Sequence, residues 1–212
     1  MKTTTNDKET KSTAPVHSKT TVAAKSSTVR KSAKADTTVQ RKNNYTGHAQ
    51  SDFHTFFVDE LKDIYWAELH LKRGLLKMCK ASTSDQLTAS FEKQYKDIDR
   101  QIGQLETVFA LLGEKPEAKK CAAMEGLLEE VESIISDTKR NSLVRDAGLI
   151  LAAQKVEHYE IATYGTLQAL AEYLPEKKVQ RVLHSLLEEE KKCDASLTKL
   201  AESFINECAA VE

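Results

Sequence analysis

Three stretches of this sequence put acidic side chains where a helical period calls for apolar ones. Leu183, Leu187, Glu190, Asp194 and Leu197 follow one another by steps of four, three, four and three residues, so they share one helix face. Glu68 interrupts a second stripe that carries Leu61, Tyr65 and Leu75. Ala153, Glu157, Glu160 and Tyr164 form a third by the same arithmetic. A buried, unpaired carboxylate costs several kcal/mol, and several facing one another repel, so such groups need protonation, basic partners or a cation.

A pair of divalent metals answers all of these needs together. Carboxylate-rich sites suit iron and manganese, and helical bundles build them from Glu on two helices and Glu-plus-His pairs on the other two. The expectation is an iron or manganese site of at most two ions, with Glu68, Glu157, Glu160, Glu190 and Asp194 as ligands. The competing reading leaves these residues at the edges of their seams, meeting solvent or pairing with Lys72, Lys155 or Lys191 as ordinary surface contacts.

A fourth stretch contributes less. Gln94, Asp97 and Gln101 lie at i, i+3 and i+7, with Ile98 at the centre of that face and no Glu-x-x-His. Asp97 and Gln101 join the candidate metal residues; Gln94 and Gln101 are weak oxygen ligands or hydrogen-bond donors to ligands. His158 falls about 100° around the helix from Glu157, at another edge of the stripe. Tyr65 and Tyr164 project toward the carboxylate layer, where a phenol can hydrogen-bond a ligand. There is no GxSxG, no Walker-type loop and no glycine-rich turn after a strand, so no catalytic residue or small-molecule substrate is assigned.

Long amphipathic helices must position these groups. From Asp52 onward the chain is rich in Leu, Ala, Glu and Lys, with apolar residues at three- and four-residue intervals and nothing that alternates like a strand. The first helix is expected over Asp52 to Lys80. The second begins after Thr83, where Thr83-x-x-Gln86 forms a capping box, and stops at Gly113. A link of roughly thirty residues follows, holding one shorter helix near Met124 to Thr138. A third helix spans Leu143 to Leu174, and Pro175 opens a fourth that ends near Cys208. Hairpin, long crossover, hairpin is the ferritin-like connectivity, so residues 52–208 are expected to form an all-α, ferritin-like four-helix bundle.

Residues 1–51 are expected to be a disordered basic tail. The first fifty residues hold sixteen Ser/Thr, ten Lys/Arg and three Asp/Glu, a net +7, which leaves −8 for the remainder under a formal total of −1. Such a segment buries too little apolar surface to offset its ordering entropy. Its role is a solubilising tail or loose contact with nucleic acid or another polyanion. Four scattered cysteines without a CxxC pair read as reduced thiols, and no apolar run suits a membrane span or secretory signal, so a cytoplasmic location is expected.

The segments ELKDIYWAE (60–68), KKCAAMEGLLEE (119–130), AAQKVEHYEIATYGTL (152–167) and LLEEEKKCDASLTKLA (186–201) closely resemble the YciE/YciF-like stress proteins, a bacterial ferritin-like family. The likeness covers about residues 52–205. It implies a ferritin-like fold, frequent homodimerisation, a link to stress responses and a dinuclear metal site in which Glu68, Glu157, Glu160, Glu190 and Asp194 are similar to rubrerythrin-type ligand positions. Family members often carry His where this chain has Gln94. Two functions follow as rivals: a metal-binding stress protein that oxidises its bound metal with oxygen or peroxide, and a metal-free helical dimer that serves as an interaction module, its tail touching polyanions.

Overall fold

The computed structural model describes residues 51–212, so all of the tail expected over residues 1–51 except Ser51 lies outside the described residues. Ser51 opens the first helix by accepting the His54 amide on its hydroxyl at 3.2 Å. In chain order the helices are α1 (Asp52–Ala81), α2 (Asp85–Leu112), α3 (Ala122–Asp137), α4 (Leu143–Ala171), α5 (Lys177–Leu200) and, after a π-helical turn over Ala201–Ile205, α6 (Asn206–Val211). There is no strand among the described residues. The result is the all-α, ferritin-like bundle: two hairpins, α1–α2 and α4–α5, linked by a crossover that carries α3.

Each long helix buries the stripe its sequence announces. Phe57, Leu61, Ile64, Leu71, Leu75 and Met78 line the inner face of α1, and Leu87, Phe91, Ile98, Leu105 and Phe109 that of α2. Removing such side chains from water stabilises the bundle by about 1.5–3 kcal/mol apiece. Gly113, at φ 73°, terminates α2 in the left-handed conformation glycine tolerates, and the Glu114 amide closes back on the Phe109 carbonyl at 2.9 Å.

The crossover is pinned by close packing. A Cβ on Gly74 would stand 2.5 Å from Leu128 Cδ2, and one on Gly148 2.8 Å from Ile134 Cγ2, so α3 rests directly on the backbones of α1 and α4. Cys121 caps α3 by accepting the Met124 amide, and its sulfur lies 3.2 Å from the Tyr159 hydroxyl, which donates to Asp63 on α1 at 2.9 Å.

Three local expectations need correction. The capping box at Thr83 does not form: α2 begins after Ser84, and Asp146 of α4 receives the Thr83 and Ser84 amides, each at 2.7 Å. A buried carboxylate from another helix therefore does the work expected of a local side chain. α4 ends at Ala171 rather than Leu174, and Pro175 lies in the turn before α5, whose N-cap is Glu176. Helical structure continues past Cys208 to Val211, and Glu212 folds back to accept the Leu143 amide at 2.7 Å. No helix among the described residues is long and apolar enough to cross a membrane.

Candidate metal centre

The carboxylate layer lies at mid-bundle because the interrupted stripes of α1, α4 and α5 face one another there. Glu68, Glu157, Glu160 and Glu190 are at most 5% exposed. A carboxylate oxygen from each of Glu157, Glu160 and Glu190 lies within 4.8 Å of the others, close enough to share one ion. None of the four forms an ion pair with a basic side chain among the described residues.

Hydrogen bonds account for only part of this layer. Tyr164 donates its hydroxyl to Glu68 Oε1 at 2.5 Å, and Gln101 donates Nε2 to Glu190 Oε1 at 2.7 Å. Glu157 Oε2, Glu160 Oε1 and Gln94 Nε2 are buried without a hydrogen-bond partner among the described residues. An unsatisfied buried polar atom costs about 1–3 kcal/mol, more when charged. Two orphaned carboxylate oxygens in a set of four hard ligands fit a bound cation, which would take the lone pairs that no hydrogen-bond donor engages here.

The electrostatics agree. Burial, with the nearby charge of Glu189 adding to it, lifts the Glu68 carboxyl to about 7 although Tyr164 pulls it back. Glu157 rises to about 7, chiefly by burial, while the adjacent Cys193 thiol holds it down and Glu68 pushes it up. Glu160 is held well above its ordinary range by burial and then by Glu68, Glu190 and Glu157; Glu190 is too, by burial and then Glu68 and Glu157. Without a cation the four cannot all ionise. Burial also lifts the Tyr164 phenol, which stays protonated and able to donate.

A cavity of about 230 Å³ reaches the layer from the side, between α2 and α5. Gln94, Ile98 and Gln101 form its α2 wall. At its rim Arg100 of α2 grips Glu189 of α5 with two hydrogen bonds, Nη1 to Oε1 at 3.0 Å and Nη2 to Oε2 at 2.6 Å.

The remaining candidates lie outside the inner group. Asp97 is at the rim, 3.5 Å from Lys93 and 42% exposed. Gln101 stands behind Glu190 as a donor. Asp194 turns past the seam toward the outer face of α4, where Gln154 donates to it at 3.1 Å and His158 lies 3.3 Å away. His158 itself is 69% exposed. Tyr65 does not reach the layer, because its hydroxyl bonds Glu106 at 2.9 Å and its ring packs edge-on to Phe109. Cys193, not singled out from the sequence, lines the cavity; its signal was the i+3 spacing from Glu190.

Residues 52–210 match the family described as a domain of unknown function, DUF892. Protein YciF of Escherichia coli (strain K12) is 44% identical over 154 residues, which span 72% of this chain and 92% of the relative. The crystal structure of the E. coli stress protein YciF superposes with a TM-score of 0.70 at 43% identity, over 74% of this chain and 98% of that one. YcfI from Rhodopseudomonas palustris gives 0.67 at 34% identity, over 73% and 98%. A Xanthomonas campestris protein, 20% identical with a TM-score of 0.59, shares the fold.

Proposed function

This chain belongs to the DUF892 family, and from that premise we propose that it is a ferritin-like stress-response protein whose carboxylate layer binds iron or manganese, two ions at most. Glu157, Glu160 and Glu190 are the inner ligands, with Glu68 completing the layer from α1. Asp97, Gln101 and Asp194 act from the periphery, at the rim, behind Glu190 and beside the seam. The single observation that carries this reading is the pair of orphaned oxygens, Glu157 Oε2 and Glu160 Oε1, buried among carboxylates that have no ion-paired basic side chain among the described residues.

Iron bound here would supply one-electron chemistry with oxygen or peroxide. The chain's own part is to balance charge, since four carboxyl groups that resist ionisation together can release protons as a cation enters. Tyr164 fixes the Glu68 carboxyl, Gln101 fixes Glu190, and Leu71, Leu75 and Ile98 supply the apolar part of the cavity lining. The proposal includes a cytoplasmic homodimer, the association following from the family likeness and the location from the reduced thiols.

The test is thermal unfolding of the full chain with manganese or anaerobic iron(II) added, beside Glu157→Gln/Glu160→Gln. An ion at about a hundred times its Kd stabilises the folded protein by about 2.7 kcal/mol. The wild type should gain that increment and the double variant should not. The rival metal-free module, favoured by the raised pKa values that let these carboxyls stay protonated, predicts equal melting with and without metal for both.

A further inference from the structure

Cys193 is the one thiol in the cavity wall among the described residues, and the carboxylate reading leaves it unused. It follows Glu190 by three residues, the same step that separates Glu157 from Glu160, and residues so spaced share a helix face. Its side chain lines the cavity with the four carboxylates and lies against Glu157. The thiol is free and half-buried. The orphaned oxygens of Glu157 and Glu160, on residues 4% and 2% exposed, independently mark the same space as a ligand position. The other cysteines are placed differently: Cys121 is engaged by Tyr159 and the Met124 amide, and Cys79 and Cys208 are not part of the cavity wall.

We infer that Cys193 is a sulfur ligand of the metal site, making it a mixed carboxylate and thiolate centre that takes iron(II) or zinc ahead of manganese. The inference rests on the metal-binding reading and narrows it. α4 offers two oxygens through Glu157 and Glu160 and α5 one through Glu190, each within 4.8 Å of the others, and Cys193, against Glu157 at the edge of that group, adds a sulfur. On coordination the S–H bond breaks, the sulfur–metal bond forms and the proton leaves to solvent through the cavity mouth; no electron is transferred. Soft thiolate donors favour zinc and iron, whereas sites of carboxylate and water alone suit manganese.

Cobalt(II), added anaerobically to the full chain, is the probe, because thiolate coordination gives an intense near-ultraviolet charge-transfer band that carboxylate ligands lack. Wild type and Cys79→Ser/Cys208→Ser should both show the band. Cys193→Ser should lose it while still retaining cobalt in equilibrium dialysis, and should lose the preference for zinc over manganese in competition. Cobalt bound by the wild type without the band, or a band that survives in Cys193→Ser, overturns the sulfur ligand and leaves the metal-binding reading standing. A wild type that binds none of cobalt, zinc or manganese overturns both.

Discussion

The Tyr164 hydroxyl reaches across the bundle interior from α4 and donates to Glu68 Oε1 on α1 at 2.5 Å. Both residues are buried, at 0% and 1% exposure. The contact orients the Glu68 carboxyl and favours its charged form, against the larger effect of burial. One hydrogen bond between the two hairpins thus positions a candidate ligand and offsets part of the burial that favours its protonated form.

Tyr164→Phe removes that donor with little change in shape. The metal-free protein should lose about 1–3 kcal/mol, the cost of an unsatisfied buried partner, in urea unfolding near neutral pH. The Glu68 carboxyl should titrate higher still when followed by carboxyl-carbon NMR. An unchanged stability and an unchanged Glu68 titration would place the tyrosine outside the layer's energetics.

The layer makes the stability of the metal-free protein depend on pH in a definite direction. Glu68 and Glu157 titrate at about 7 in the folded chain against 4.5 ordinarily, so the folded state holds protons that the unfolded chain has already released. Their contribution is complete below the ordinary value and is lost as pH rises through about 7. With chelator present, melting should therefore be higher at about pH 6 than at about pH 8. Saturating manganese should reverse the order, since protons and metal compete for the same oxygens. A melting temperature that is flat or rising over this range in chelator would contradict the buried, cation-free layer.

Gln94 is where α2 falls short as a source of ligands, and its Nε2 is buried without a partner. Gln94→His puts an imidazole nitrogen beside the cavity. Metal affinity should tighten by about tenfold, or 1.4 kcal/mol, in calorimetric titration. Unchanged or weaker binding would mean that α2 does not face the ion.

Arg100 and Glu189 close the rim of the cavity but contribute little to stability, because both meet solvent. Arg100→Gln should change stability by less than about 1 kcal/mol. Release of bound metal to an excess of chelator, followed by stopped flow, should become faster. An unaltered release rate would show that metal leaves by another route.

The sequence made the architecture legible because the signals that set it are local. Gly113 stops α2, and the apolar stripe of each long helix shows its inner face without reference to any other, whereas Ser51, assigned to the tail, proves to be the cap of α1. The cap of α2 was not legible, since its acceptor, Asp146, is some sixty residues away and on another helix. The site shows the same division. Glu68, Glu157, Glu160 and Glu190 each sit at the centre of a stripe, where any packing buries them. Cys193 and Asp194 sit at i+3 and i+4 from Glu190, on either side of that centre line. Which of them turns inward depends on how α5 is rotated against α4, and periodicity carries no record of that rotation. Tyr65 and Tyr164 differ for a similar reason: both lie on inner stripes, yet Glu106 lies within reach of one hydroxyl and Glu68 of the other.

The claim that carboxylates from separate helices share a cation is tested most directly by anomalous diffraction from crystals of the full chain grown with manganese or iron(II). The account predicts an anomalous peak bounded by Glu157, Glu160 and Glu190 on the cavity side of Glu68, absent from crystals of Glu157→Gln/Glu160→Gln. Anomalous density only at surface carboxylates, or a peak that persists unchanged in the double variant, would contradict it.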